Sequence, residues 1–285
     1  MTKLQQRWHL TLIAVLLLGG CRTLPLASTL SYQRGEFPLQ ITSIGHATFL
    51  IELDGQLILT DPWFYETPFT GRHPDPLGLS LEQLPLLDLI LVTHAHIDHC
   101  DRRALKRLAA QTRALVGVKG MGAAMRQLGF SHVVELAPWE TFAASPLTIT
   151  AVPAAHSGPT NTYIIEGIGK TVYFAGETTL FPDLARLTER FPRLDIALLP
   201  VDGLRLRWGK QLAMDAHDAV EAVKLLRPRV VIPVLDHDFS RSLTGLVLTT
   251  TSQVEAFKML MEQSSPEVAV VLLKAGGRWG RSERF

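Results

Sequence analysis

The sequence predicts a protein of mixed α and β structure, and two mixed β-sheets packed face to face with helices on both outer faces would account for the order of its elements. Three observations support this fold class. Apolar and β-branched residues dominate the segment from Leu39 to Thr60, predicted helices alternate with strands through the rest of the chain, and residues 37–285 contain no linker, low-complexity tract or short repeat. A chain of 285 residues is long enough to bury one large core. We therefore expect a single domain over residues 37–285.

The predicted elements follow from hydrophobic periodicity and from glycine, proline and aspartate at their ends. The strands are expected at 39–44, 48–53, 56–60, 86–93, 113–118, 132–136, 147–152, 162–166, 171–175, 196–199, 230–235 and 268–273. Asp54-Gly55 predicts a tight hairpin turn between the second and third strands. The helices are expected at 101–110, 122–128, 180–190, 213–226 and 252–263, with a helical turn at 81–84 and an irregular loop at 62–80.

The first 21 residues predict an export signal. Lys3 and Arg7 precede an apolar core from Leu10 to Leu18, which is shorter than the roughly 20 residues that span a bilayer. The run Leu18-Gly19-Gly20-Cys21 resembles a bacterial lipobox, and this resemblance implies cleavage before Cys21 and lipid attachment to it. The alternatives are an ordinary uncleaved anchor or a misread start codon.

An exported lipoprotein held to the membrane through Cys21 is therefore expected. Arg22 follows the cysteine, and the resemblance then favours the outer membrane, with the domain facing the periplasm; residues 22–36 predict a tether. Cys100 has no disulfide partner once Cys21 carries lipid, so it is either a small buried residue or an extra metal ligand. The 28 basic and 27 acidic side chains nearly balance, so bulk charge predicts no nucleic-acid partner. The sequence does not predict the oligomeric state.

A cluster of potential metal ligands follows the predicted strand 86–93. His94, His96, Asp98 and His99 lie within six consecutive positions, and imidazoles and carboxylates are ligands that zinc accepts. His94 and His96 are two residues apart, so they project to the same side of an extended segment, whereas Asp98 and His99 can face a second point. The alternative is a solvated polar loop. The spacing favours one loop that serves two metal ions.

The pattern His-x-His-x-Asp-His at 94–99 resembles the signature of the metallo-β-lactamase superfamily. Two further runs, Gly-His-Ala-Thr at 45–48 and Thr-Asp-Pro-Trp-Phe at 60–64, resemble a narrower branch. That branch holds N-acylphosphatidylethanolamine-hydrolysing phospholipase D and the ascorbate-6-phosphate lactonases. The resemblance implies the αββα sandwich of the superfamily and two bound divalent metal ions, with zinc as the expected metal.

The same resemblance points to the remaining ligands. His156 follows the strand 147–152 and would complete the first metal site with His94 and His96. Glu177 stands in Gly-Glu-Thr where the family pattern is Gly-Asp-Thr, whose aspartate bridges both metals. The alternatives are a solvated loop histidine and a surface glutamate.

The last ligand is predicted at His237. Relatives carry a histidine at the position of Leu235, and here a histidine appears two residues later, so a shifted loop would bring it to the second metal. Asp236 and His217 are the alternatives. Asp61 and His46 are expected to orient ligating imidazoles, although Asp61 can also simply begin a turn.

The resemblance implies a hydrolase that uses a metal-bridging hydroxide, with Asp98 binding the second metal and orienting the nucleophile. Trp63, Arg207 and Trp208 are candidate contacts to a small-molecule or phospholipid substrate, or else ordinary core and surface residues. The expected activity is that of a phosphodiesterase of phospholipase D type. The alternatives are a lactonase or carboxylic-ester hydrolase with the same site, or a non-catalytic envelope lipoprotein with a degraded metal site.

Overall fold

The computed structural model describes residues 32–35, 37–234, 242–251 and 253–280. The predicted signal peptide, the lipobox cysteine Cys21 and the predicted ligand His237 lie outside these residues.

The first sheet contains seven strands among the described residues, in the order β16-β1-β2-β3-β4-β5-β6. Their bounds are β1 Leu39–Gly45, β2 Thr48–Leu53, β3 Gln56–Thr60, β4 Leu87–Leu91, β5 Thr112–Val118, β6 Val133–Leu136 and β16 Arg278–Gly280. The hairpin between β2 and β3 turns at Asp54 and Gly55, whose φ angles of 49° and 75° are those of a type I′ turn. From β3 to β6 the neighbours run parallel.

The second sheet follows the order β15-β13-β11-β10-β9-β8-β7 within the described part of the chain. Its strands are β7 Thr141–Ala144, β8 Leu147–Pro153, β9 Asn161–Gly167, β10 Lys170–Phe174, β11 Ile196–Pro200, β13 Val230–Val234 and β15 Ala269–Val270. A short ribbon pairs β12 Arg205–Leu206 with β14 Leu248–Thr249.

Helices cover both outer faces. The bounds are α1 Arg102–Leu108, α2 Gly122–Gln127, α3 Leu184–Arg190, α4 Ala216–Leu226 and α5 Val254–Ser264, with 3₁₀ turns at Leu81–Gln83, Ala109–Gln111 and Thr244–Leu246. One apolar cluster lies between the sheets and includes Phe49 and Phe174. A second apolar cluster joins strands of the first sheet to helix α1 and includes Leu105. A third joins strands of the second sheet to helix α5 and includes Phe257. This arrangement confirms the predicted four-layer α/β fold.

The topology brings several loops to one edge of the molecule. β1, β3 and β4 end at the same edge of the first sheet, because β1 and β3 are both antiparallel to β2 and β4 is parallel to β3. β8, β10 and β13 likewise share a direction in the second sheet. The edges meet where the Asn161 backbone N–H donates to the Thr93 carbonyl oxygen at 3.0 Å. Most of the predicted site residues follow these strands.

The structure differs from the predicted elements mainly at their ends. The helix predicted from residue 180 begins at Leu184, because Pro182 restricts the residue before it to extended backbone. The helix predicted from residue 213 begins at Ala216, where the Asp215 carboxylate accepts from the His217 and Asp218 N–H groups. None of the described helices has the length and the apolar character that a membrane crossing requires.

The predicted tether ends in contacts with the domain. The Tyr32 hydroxyl donates to Glu52 Oε2 at 3.2 Å, and the Gly35 N–H donates to the same oxygen at 2.9 Å. Among the described residues, packing on the first sheet thus begins a few residues before residue 37.

Candidate metal centre

A buried carboxylate, Asp61, organises the end of β3 and β4. The Thr93 N–H donates to Asp61 Oδ1 at 2.7 Å, the Thr93 hydroxyl donates to Oδ2 at 2.6 Å, and the His99 Nδ1–H donates to Oδ2 at 2.8 Å. Because the Thr93 hydrogen points at Asp61, the Thr93 oxygen is left to accept from His94 Nδ1 at 2.9 Å. Asp61 therefore orients His99 directly and His94 through Thr93, so that Nε2 of each ring faces Glu177.

Four side chains form the first donor cluster: His94, His96, His156 and Glu177. His94 Nε2 lies 2.9 Å from His96 Nδ1, and His156 Nε2 lies 3.4 Å from the same atom. Glu177 Oε2 lies 3.4 Å from both His94 Nε2 and His156 Nε2. His156 Nδ1–H donates to the Leu212 carbonyl oxygen at 3.1 Å, which leaves its Nε2 lone pair facing the cluster.

The loop after β10 is held tightly enough to aim Glu177. Gly176 has a φ of 54°, and a Cβ there would lie 2.6 Å from Thr93 Cγ2, so only glycine fits. Thr178 Oγ1 accepts from the Ala155 N–H at 2.9 Å and ties this loop to the His156 loop. The predicted first-metal ligands, from two different sheets, thus meet at one point.

The second cluster shares Glu177 with the first. His99 Nε2 lies 3.6 Å from Glu177 Oε2 and 3.9 Å from Asp98 Oδ2. His46 also faces this point, with its Nε2 3.1 Å from His99 Nε2. A single carboxylate oxygen of Glu177 therefore lies within 4 Å of imidazole nitrogens of both clusters.

The charges of the site suit cations. Burial lowers the pKa of His94 to about 3, so its imidazole is neutral and its lone pair is available at pH 7. Burial alone would lower the pKa of His99, but the carboxylates of Asp98 and Asp61 outweigh burial and raise that pKa to about 10. Burial would raise the pKa of Glu177, yet the surrounding imidazoles of His94, His96, His99 and His156 hold it well below its usual value. The carboxylates thus supply negative charge that favours a cation beside them.

The donor set fits divalent metal ions. Tetrahedral zinc with nitrogen ligands at about 2.0–2.1 Å places neighbouring donor atoms about 3.3 Å apart, and the distances in the first cluster run from 2.9 to 3.9 Å. Mixed imidazole and carboxylate donors are the chemistry that zinc, iron and manganese accept. The residues present therefore fit a bound divalent metal ion, and Glu177 lies beside both clusters.

A cavity of about 400 Å³ opens above these clusters. His96, Asp98, His156 and Glu177 form its polar floor. Its walls are largely apolar and consist of Phe69, Thr70, Ala95, Ile97, Leu204, Leu212, Thr244, Val247 and Leu248. Of the described residues, none that lines the cavity is a lysine or an arginine.

The three predicted substrate contacts lie outside the lining of this cavity. Trp63 is fully buried, and its ring packs against His73 with centroids 3.8 Å apart, so it lies in the core and not at an entrance. Trp208 is 70% exposed and does not line the cavity. The Arg207 Nε–H donates to the Gly245 carbonyl oxygen at 2.9 Å, so Arg207 also lies outside the lining. Trp63 thus matches the alternative of an ordinary core residue, because core and entrance aromatics have the same sequence pattern.

Cys100 and His217 also lie among the described residues. Cys100 is buried, and burial raises the pKa of its thiol to about 12, in accord with a packing role. His217 is exposed on α4. His237 and its alternative Asp236 lie outside the described residues, so His237 stays a prediction.

Sequence reasoning missed the hydroxyl of Thr93 and most of the cavity wall. Thr93 directly precedes His94, so its position next to the ligand loop could have pointed to it. Leu204, Leu212 and Val247 come from segments far apart in the chain, and no local pattern connects them.

Comparison with known proteins places the chain among metal-dependent hydrolases. Residues 56–234 match the model of the β-lactamase superfamily domain. A UPF0173 metal-dependent hydrolase from Methanopyrus kandleri is 31% identical to this chain over 85% of it and 100% of the relative. One from Pyrococcus furiosus is 30% identical over 84% of this chain and 97% of the relative.

Solved structures share the fold. A metallo hydrolase from Ignicoccus hospitalis superposes with a TM-score of 0.67 at 26% identity, covering 86% of this chain and 99% of that protein. An isothiocyanate hydrolase from Delia radicum gut bacteria has a TM-score of 0.68 at 19% identity, over 85% of this chain and 99% of that protein, which concerns the fold alone. The chain belongs to the β-lactamase superfamily and, within it, to the UPF0173 family of metal-dependent hydrolases.

Proposed function

We propose that this chain is a binuclear zinc hydrolase that cleaves a phosphodiester of a phospholipid or a similar amphiphile, as a phospholipase D does. The observation that carries the proposal is the apolar-walled cavity directly above two donor clusters that share Glu177. Such walls favour a substrate with an apolar part beside the bond that is cleaved. The resemblance of residues 45–48 and 60–64 to the phospholipase D branch supports the same substrate class.

The roles of the side chains follow from their positions. Metal ions bound there would supply Lewis acidity and lower the pKa of a water molecule towards neutrality. His94, His96, His156 and Glu177 would hold one ion, and Asp98, His99 and Glu177 the other. Asp98 also lines the cavity floor, so its carboxylate can orient the attacking water and accept its proton. The apolar walls bind the substrate tail and exclude bulk water.

A second candidate is a lactone or carboxylic-ester hydrolase with the same site. The lining of the cavity favours it, because no described lining residue is a lysine or an arginine that would pair with a phosphate. A neutral ester makes no such demand. A panel of phospholipids, lactones and carboxylic esters, assayed on one preparation, separates the two candidates.

We expect the His96→Ala variant to lose hydrolysis of every substrate that the wild-type chain cleaves, by about 100-fold or more, because His96 Nδ1 lies between two other donors of the first cluster. The assay measures metal content and product release on the same preparation of the full-length chain. His132→Ala is the matched control, since His132 is exposed and packs against Phe142. Release of phosphatidate supports the phospholipase D proposal, and wild-type turnover of esters alone replaces it with the second candidate. Absence of both metal and turnover would contradict an enzymatic role.

We also propose that Cys21 anchors the protein in the bacterial outer membrane, with the hydrolase domain in the periplasm. This location would place the enzyme beside phospholipid substrates. Cys21→Ser is expected to abolish incorporation of labelled palmitate and to release the protein from the membrane fraction, because stable anchoring depends on the attached chains. Cys100→Ser is the matched control, since Cys100 is buried in the domain. Labelling that survives in Cys21→Ser would contradict the anchor.

A further inference from the structure

We propose that His46 is itself a ligand of the second metal ion, which makes the second site His46, Asp98, His99 and Glu177. This inference rests on the proposed binuclear site and assigns its fourth protein ligand. His46, Asp98 and His99 each offer one donor atom, and these three atoms lie within 4.8 Å of one another.

The imidazoles of His46 and His99 are in direct contact. His46 Nε2 lies 3.1 Å from His99 Nε2, close to the spacing of about 3.3 Å between two nitrogens on one tetrahedral zinc. His99 Nδ1–H is committed to Asp61 at 2.8 Å, so Nε2 is the atom of His99 that can bind metal. Once the lone pair on His99 Nε2 binds an ion, this nitrogen can no longer accept a hydrogen bond from His46. A neighbouring cation then favours the tautomer of His46 in which Nε2 carries a lone pair.

Neighbouring rings hold the His46 imidazole firmly in place. The ring meets the buried Trp63 edge to face with centroids 5.4 Å apart, and Trp63 in turn packs on His73. The ring also meets the His99 ring at 4.8 Å and 67°. From its position in the core, Trp63 therefore supports the imidazole that faces the second cluster.

The backbone at His46 also directs this side chain to the second cluster. His46 has a φ of 50°, a left-handed conformation that is costly for a residue with a Cβ, and it follows Gly45 with a φ of 153°. This turn joins β1 to β2 at the edge where Asp61 and the 94–99 loop lie. The strained turn therefore carries His46 to the metal cluster.

Removal of a metal ligand and removal of a residue that only orients a ligand change the metal affinity by different amounts. Loss of an orienting partner weakens metal binding by about 10–100-fold, whereas loss of a ligand should remove the second ion under the same conditions. We expect the metal content of His46→Ala, equilibrated with limiting free Zn²⁺, to fall from about two ions to about one per chain, with the first ion bound as tightly as before.

The experiment compares the full-length wild-type chain with His46→Ala, His237→Ala and the exposed control His132→Ala. Zinc content after equilibrium dialysis and the visible spectrum after Co²⁺ substitution are the readouts. Loss of about one ion and of one set of Co²⁺ bands in His46→Ala, but not in the control, supports the proposal. Retention of the second ion with an affinity within about 100-fold of wild type, the range of an orienting partner, overturns it. Loss of that ion in His237→Ala alone overturns it as well.

A second measurement covers the case in which His46→Ala does not fold. Crystals of the wild-type chain grown with Zn²⁺ should show His46 Nε2 about 2.0–2.1 Å from the second ion, and a distance beyond about 3 Å overturns the assignment. The outcomes remain distinct from those of the proposed function. Two ions with His46 bound but no ester hydrolysis would remove the function and keep this ligand, whereas hydrolysis with both ions retained in His46→Ala would do the reverse.

Discussion

Glu177→Ala is expected to lower the metal content of the full-length chain from about two ions to fewer than one and to reduce kcat/KM by about 1,000-fold or more. Its Oε2 lies 3.4 Å from His94 Nε2 and from His156 Nε2, and 3.6 Å from His99 Nε2, so one substitution removes a donor from both clusters. It also removes a buried negative charge from among the imidazoles, which raises the cost of a cation there. Zinc content and ester hydrolysis, measured together, check this result.

The matched control is Glu177→Asp. An aspartate keeps the charge but is one methylene shorter, so we expect it to retain more metal and more activity than Glu177→Ala. Two bound ions and near wild-type turnover in Glu177→Ala would show that Glu177 is a buried ion-pair partner and does not bridge the metals.

The second large effect is expected for Asp61→Asn. Asp61 accepts three hydrogen bonds on two oxygens, from the Thr93 N–H, the Thr93 hydroxyl and His99 Nδ1–H. An asparagine keeps one acceptor oxygen and turns an NH₂ group towards a buried donor, so the metal-free chain should lose about 3 kcal/mol of unfolding free energy. Freed from its partner, His99 should bind the second ion about 10–100-fold more weakly. Denaturant unfolding of the metal-free chain and zinc titration measure the two effects.

Asp195→Asn is the matched control for Asp61→Asn. Its carboxylate likewise accepts a backbone N–H, from Thr171 at 2.9 Å, but it lies at the start of β11, at the opposite end of that strand from the metal centre. The Asp195→Asn substitution should lower the free energy of unfolding less than Asp61→Asn does, because Asp195 is only partly buried. It should leave the zinc affinity unchanged. Equal zinc affinity in Asp61→Asn and wild type would contradict the role of Asp61 in orienting His99.

Local patterns in the sequence were sufficient for the strongly periodic elements. The Asp54-Gly55 turn and the buried strand β4 were predictable, because turn chemistry and continuous apolar runs are local properties. The edge strands β7 and β16 were missed; they are short and partly exposed, so their sequences have little apolar character. Their pairing depends on the neighbouring strand, which no local window contains.

The residues of the site likewise divide into those that local spacing predicts and those that only the three-dimensional structure brings together. The spacing of His94, His96, Asp98 and His99 predicted a two-metal loop, and the structure brings His156 and Glu177 to it from the other sheet. Geometry supplied what spacing could not. The distance between His46 and His99 depends on the strand order β1-β2-β3-β4, and Trp63 proved to be a core residue only once its neighbours were placed.

The most direct test of the account is the zinc content of the full-length wild-type chain beside that of a His94→Ala, His96→Ala, His156→Ala triple variant, both measured after dialysis against the same free Zn²⁺. We expect about two ions for the wild-type chain and the loss of at least one in the folded triple variant. Equal zinc content in the two proteins, or none in the wild-type chain, would contradict a metal centre built from these imidazoles.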